Sequence, residues 1–108
     1  IKDNFTIMKE EPFGPLVPIL SFKSYDEVIK RANNNDLGLC SYVYTTDLKK
    51  ANLASEELET GCVAVNTPAV AVAEAPFGGI KQTGYGREGG SMAIKDYLNI
   101  KYTHIAIY

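Results

Sequence analysis

The chain has 108 residues, of which 45% are hydrophobic and 22% charged, with a formal net charge of -2. That is enough for one domain of ordinary globular composition, burying roughly 65% of its unfolded surface. A near-neutral balance without a basic run excludes nucleic acid and a polybasic membrane partner, and no apolar run approaches the ~20 residues of a spanning helix.

The chain opens on Ile1-Lys2-Asp3-Asn4, without a starting Met and without the apolar stretch of a signal peptide. The expectation is a cytoplasmic protein and an internal cut through a longer one. Leu16 to Phe22 (LVPILSF) reads as a first strand, at a sheet edge because of Pro18. Ser24-Tyr25-Asp26-Glu27 fits a capping box. It predicts a helix to about Asn33 with Val28, Ile29 and Ala32 on one face, stopped by the stretch NNNDLG. Leu39 to Thr45 (LCSYVYT) is the second strand. Asp47 caps a second helix whose apolar face is Leu48, Ala51, Leu53, Ala54 and Leu58, with Gly61 as its stop. Cys62 to Val65 is the third strand. Beyond a long glycine loop come a third helix, about Gly90 to Leu98, and a last strand, Ile100 to Tyr108. The fold class expected is therefore α/β: a βαβαβ parallel-sheet unit with a C-terminal helix and strand.

The two cysteines, Cys40 and Cys62, both lie in apolar strand runs, and the one histidine is His104. Too few ligands are present for zinc, so no metal is expected. The thiols are expected to be reduced and buried.

Pro76 to Gly90 (PFGGIKQTGYGREGG) holds six of the nine glycines, and Gly84-Tyr85-Gly86-Arg87-Glu88-Gly89 spells G-x-G-x-x-G. A dinucleotide fingerprint must follow its strand directly and be answered by an acidic residue about 20 positions on. Here about ten residues separate Asn66 from Pro76, and the chain ends at Tyr108. Nor does Lys81 stand where a P-loop needs it. The glycines are read as turn formers in a loop lining a cleft, and a phosphate cradle as the weaker alternative.

The whole of Pro76 to Glu88 matches P-F-G-G-x-K-x-[ST]-G-x-G-R-E, and Glu10-Glu11-Pro12-Phe13-Gly14-Pro15 matches E-E-x-F-G-P at the right distance upstream. Asn66 completes a V-N pair between them. These motifs resemble the C-terminal part of the NAD(P)-dependent aldehyde dehydrogenases, from about Phe5 to Tyr102. The tail from Gly86 to Tyr102 is most similar to the succinate-semialdehyde dehydrogenase branch.

The resemblance implies a family fold and a reaction. Residues 1–99 would belong to the catalytic domain and residues 100–108 would be an oligomerisation strand, giving a homo-oligomer. The implied reaction oxidises a small aldehyde to a carboxylate. A cysteine thiolate attacks the carbonyl, hydride passes to NAD or NADP, and water hydrolyses the thioacyl intermediate. The nucleophilic cysteine and water-activating glutamate of the family lie upstream of E-E-x-F-G-P. No catalytic residue is therefore assigned here, and the isolated chain is expected to be inactive.

By the resemblance Glu11 holds the nicotinamide ribose and Phe13 lies beside the nicotinamide. Phe77 lines the aldehyde tunnel, and Val70 and Ala71 fall in the substrate loop, Thr67 to Ala75. The semialdehyde branch has a serine at the position of Ala71, and Ala71 cannot donate a hydrogen bond to a distal carboxylate. Lys81 and Arg87 are read as loop anchors and Glu88 as the start or cap of the third helix. The reading from another class is a non-catalytic α/β oligomerisation or scaffold module.

Overall fold

The computed structural model describes all 108 residues. The segment Ser24–Glu27 forms the capping box that begins α1 (Tyr25–Asn33). The Ser24 hydroxyl accepts from the Glu27 amide at 3.2 Å. The Glu27 carboxylate reaches back one residue further than expected, accepting from the Lys23 amide at 2.9 Å. Asp47 caps α2 (Leu48–Glu57) in the same way, with its Oδ1 accepting from the Lys50 amide at 3.1 Å. Each cap satisfies donors that the first helical turn leaves without a partner.

Between and after these helices lie β2 (Cys40–Val43) and β3 (Cys62–Val65), paired in parallel with Cys40 opposite Cys62 and Val43 opposite Val65. With α2 as the crossover they make one βαβ unit. Ala51 and Ala54 of α2 and Ala64 of β3 are its buried apolar side chains. Small residues at this contact let helix and strand approach closely, which also keeps the core thin. Leu48, expected on the apolar face of α2, is instead exposed at the first turn.

A second, antiparallel pair was not expected from the sequence. It joins β1 (Leu37–Gly38) to β4 (Ile80–Lys81). Gly38 is buried at this junction, where its carbonyl accepts from the Gly61 amide at 3.0 Å. A Cβ on Gly61 would overlap the Gly78 carbonyl oxygen. Gly61 therefore permits a close backbone crossing; it does not end α2, which closes at Leu58.

Three expected elements take another form. Leu16–Phe22 and Ile100–Tyr108 are not strands. Between residues 17 and 22 the one bonded backbone group is the Ser21 carbonyl, which accepts from Arg31 Nη1 at 2.8 Å. Residues 99–108 make no backbone hydrogen bond at all. A strand is defined by its ladder, and no segment of this chain pairs its backbone with either run. The third helix is reduced to a 3₁₀ turn, Ala93–Tyr97. Its expected first turn is lost because Gly89 and Gly90 have φ of 68° and 59°, outside the helical region. The α/β class holds, carried by the βαβ unit and its two helices.

The molecule measures 73 × 34 × 24 Å with a radius of gyration of 18.9 Å, well above the roughly 13 Å of a compact domain of this length. Large apolar side chains of both unpaired runs stand in solvent, among them Val17, Ile19, Ile100, Tyr102, Ile105 and Ile107. No helix is long and apolar enough to cross a membrane.

Candidate functional site

The glycine loop is built by polar ties at both ends. Phe77 and Glu88 exchange two backbone hydrogen bonds of 2.7 Å, closing the loop at its base. Arg87 Nη1 donates to the carbonyls of Gly79 at 2.8 Å and Gly86 at 2.7 Å. The Arg87 amide donates to Asp96 Oδ2 at 3.0 Å, which fastens the 3₁₀ turn to the loop. Lys81 Nζ donates to the carbonyls of Asn33 and Asn35 at 2.9 and 3.0 Å and pairs with Glu59 at 2.6 Å. Both cations are anchors, as their sequence setting suggested. Glu88 caps nothing: it contributes its backbone, while Asp96 supplies the carboxylate.

Within the loop, Gly84, Gly86 and Gly89 have φ of 126°, 84° and 68°. These values are strained for a residue with a Cβ. The three glycines of the G-x-G-x-x-G string thus serve turns, and the string precedes a short 3₁₀ turn rather than a helix N-terminus that could hold a phosphate.

Asn66 ends β3 with φ of 56°. Asparagine tolerates this left-handed conformation better than most residues. Its side chain accepts from the Thr45 amide and donates to the Thr45 carbonyl, both at 2.9 Å, so it extends the parallel ladder by one step. The chain then turns into residues 67–75. The V-N motif located Asn66; the contact with Thr45 depends on strand register, which a motif does not report.

Two clefts flank this construction. One, of ≈ 600 Å³, is lined by Glu11, Pro12, Leu37, Leu39, Cys40 and Thr83, among others. The other, of ≈ 330 Å³, is lined by Phe77, the loop glycines, Arg87 and again Leu39 and Thr83. Leu39 and Thr83 are therefore the shared wall between the cleft of Glu11 and the cleft of Phe77. Thr83 is fixed there by accepting from the Gly38 amide at 2.7 Å. Neither residue stood out as a site residue in the sequence, because their importance comes from lying between two distant motifs. A further cleft of ≈ 680 Å³ is lined by residues 33–36 against Lys81, Gln82, Gly84 and Tyr85, and contains none of Glu11, Phe13, Val70, Ala71 and Phe77.

The five residues singled out by sequence are only partly brought together. Glu11 is exposed, lines its cleft and makes no hydrogen bond or ion pair, so both carboxylate oxygens are unengaged. Phe13 is 94% exposed and lines neither cleft. Phe77 is half-buried in the glycine loop. Val70 is half-buried and Ala71 exposed, in a segment that borders neither cleft. No group of three or more metal-ligating side chains is present.

The cysteines are free and half-buried rather than fully buried. Burial, then the neighbouring Cys62, pushes the Cys40 thiol up, which keeps it protonated. Neither sulfur makes a hydrogen bond to a histidine or cation, the contact that activates a nucleophile.

Fold and motifs define an α/β protein with a glycine loop pinned across a βαβ unit. The aldehyde dehydrogenase family model matches residues 1–103, and the chain belongs to that family. It is 52% identical over 96 residues to a 3-sulfolactaldehyde dehydrogenase of Pseudomonas putida, covering 89% of this chain and 20% of that protein. It is 46% identical over 104 residues to an NADP(+) succinate-semialdehyde dehydrogenase of Escherichia coli, covering 96% and 22%. The NAD+ complex of an aldehyde dehydrogenase from Bacillus cereus superposes with a TM-score of 0.90 at 46% identity, covering 94% of this chain and 21% of that one. The chain thus spans about a fifth of the length of these relatives.

Proposed function

We propose that this chain is part of an NAD(P)-dependent oxidoreductase that oxidises a small aldehyde, succinate semialdehyde or one similar to it, to a carboxylate in the cytoplasm. The observation that carries the reading is the pair of clefts meeting at Leu39 and Thr83, with a free carboxylate on one side and an aromatic wall on the other.

The residues present fit a nicotinamide cofactor. Glu11 offers two unengaged acceptor oxygens, which suit the adjacent hydroxyls of a ribose. Pro12 restricts the Glu11 backbone to extended conformations and so limits where the carboxylate can swing. Phe13 presents a free aromatic face two residues on. When bound, the oxidised nicotinamide supplies the hydride acceptor. Phe77 is the proposed wall against the aldehyde chain, excluding water beside the glycine loop. Val70 and Ala71 are the proposed small side chains of the substrate segment. The nucleophile and the water-activating carboxylate are assigned outside this chain, consistent with a Cys40 thiol that burial pushes up and with two sulfurs that make no hydrogen bond to a cation.

The names of two relatives support an aldehyde with an anionic far end, a sulfonate in one and a carboxylate in the other. Residues 100–108 are proposed as a subunit contact separate from the body formed by residues 1–99, making the protein a homo-oligomer. Their unpaired backbone and apolar side chains support this.

The test is aldehyde-dependent NAD(P)H formation by the intact protein that carries this sequence, with and without Glu11→Gln. The amide keeps one acceptor oxygen and loses the charge that strengthens ribose contacts, so the single-turnover rate should fall about 5- to 150-fold. An unchanged rate would remove Glu11 from the site. Absence of any aldehyde-dependent reduction in the parent protein would favour the scaffold reading.

A further inference from the structure

The register of the parallel ladder sets Cys40 directly opposite Cys62. Both residues start their strands, so both sulfurs lie at the end of the sheet where the chain enters from β1 and from Gly61. Facing residues of a parallel pair project to the same side, with strands about 4.8 Å apart. That spacing falls within the Cα separation a disulfide accepts, about 4.4–6.8 Å. No other sulfur is close in sequence, and the remaining contact of Cys62 is a weak one, from its Sγ to the Gly78 carbonyl at 3.8 Å. Both side chains are half-buried in this chain, and Cys40 lines the cleft of Glu11, by which a small oxidant can approach the pair.

We propose that Cys40 and Cys62 form a reversible cross-strand disulfide, a modification site for peroxide located at the base of the βαβ unit. Peroxide oxidises the Cys62 sulfur to a sulfenic acid and is itself reduced to water. The Cys40 sulfur then attacks that sulfur. The S–S bond forms as the S–O bond breaks, and the hydroxide leaves as a second water with the Cys40 proton. Two thiols lose two electrons and one peroxide gains them. Cys40 attacks as its thiolate, and its proton passes to the departing hydroxide. Exchange with an added thiol reduces the bond and restores both cysteines.

The experiment treats the intact protein with hydrogen peroxide, blocks remaining thiols with an alkylating agent after unfolding, and maps peptides by mass spectrometry. The expected product is a peptide pair joined between Cys40 and Cys62, lighter by two hydrogen atoms than the two free peptides. It should be lost on treatment with dithiothreitol and absent in both Cys40→Ser and Cys62→Ser. Sulfinic or sulfonic acid on either residue without the joined pair would overturn the proposal. So would recovery of both residues in alkylated form. Peptide mapping separates this bond from oxidation of any cysteine elsewhere in the protein, and the reading does not depend on the proposed aldehyde chemistry.

Discussion

Glu11 and Tyr25 show how differently an exposed and a half-buried polar group can be held. Glu11 has no hydrogen-bond or ion-pair partner in this chain. Tyr25 donates its hydroxyl to Glu57 Oε2 at 2.7 Å, joining the start of α1 to the end of α2. Partial burial, then the Glu57 hydrogen bond and charge, push the Tyr25 pKa up to about 12. An acid whose pKa is raised by folding binds its proton more tightly in the folded state. The stabilisation is thus complete below about pH 10, the ordinary tyrosine value, and disappears as pH rises through about 12. Denaturation measured between those limits should show stability falling with pH, and Tyr25→Phe should flatten the slope. An unchanged slope in the variant would mean that Tyr25 does not contribute it. Ala71 carries a prediction about specificity. Ala71→Ser adds a donor where the semialdehyde branch has one, and a hydrogen bond to a charged group contributes about 1.5–3 kcal/mol. The ratio of kcat/KM for succinate semialdehyde over butanal should rise about tenfold or more. If the ratio stays level, residue 71 does not face the carboxylate.

At the scale of elements, local chemistry made some of the fold legible and left the rest hidden. Both α-helices could be read because Ser24, Glu27 and Asp47 sit within a turn of the amides they cap. The strands Cys62–Val65 and Cys40–Val43 could be read from apolar runs framed by turn residues. The pair β1–β4 could not: two residues in each strand carry no periodicity, and the pairing joins positions about 40 residues apart. The third helix failed because glycines at positive φ occupy its expected first turn. The motifs located Glu11 and Phe77, but the wall of Leu39 and Thr83 between their clefts exists only once β1 and the glycine loop meet. Gly61 supports a direct test of that meeting. Gly61→Ala places a methyl group on the Gly78 carbonyl and should cost about 1–3 kcal/mol as the crossing opens. Gly14→Ala is the control, because nothing lies within 4 Å of its added Cβ. Urea midpoints compare the two, and equal midpoints would show that the crossing is loose.

For the molecule as a whole, the buried apolar side chains are three alanines, while large apolar side chains of residues 16–22 and 100–108 face solvent. Fully burying one large aliphatic or aromatic side chain is worth about 1.5–3 kcal/mol, so covering these two runs would add far more apolar burial than the present core contains. The subunit contact proposed for residues 100–108 predicts that the intact protein sediments as an oligomer and shifts towards monomer when Thr103 to Tyr108 are deleted. An intact protein that is already monomeric at high micromolar concentration would exclude the tail as a subunit contact. The unbonded backbone of residues 99–108 has one more consequence. Its amides should exchange with deuterium at open-chain rates wherever the tail is free and slow only where another strand caps them. Along a strand with a single neighbour, alternate amides point towards that neighbour and the rest towards solvent. Slowing at every second position would thus mean that the tail is the rim of a sheet, and slowing at every position that it is threaded between two strands. The tail is its own deuterium-readable record of how it is joined.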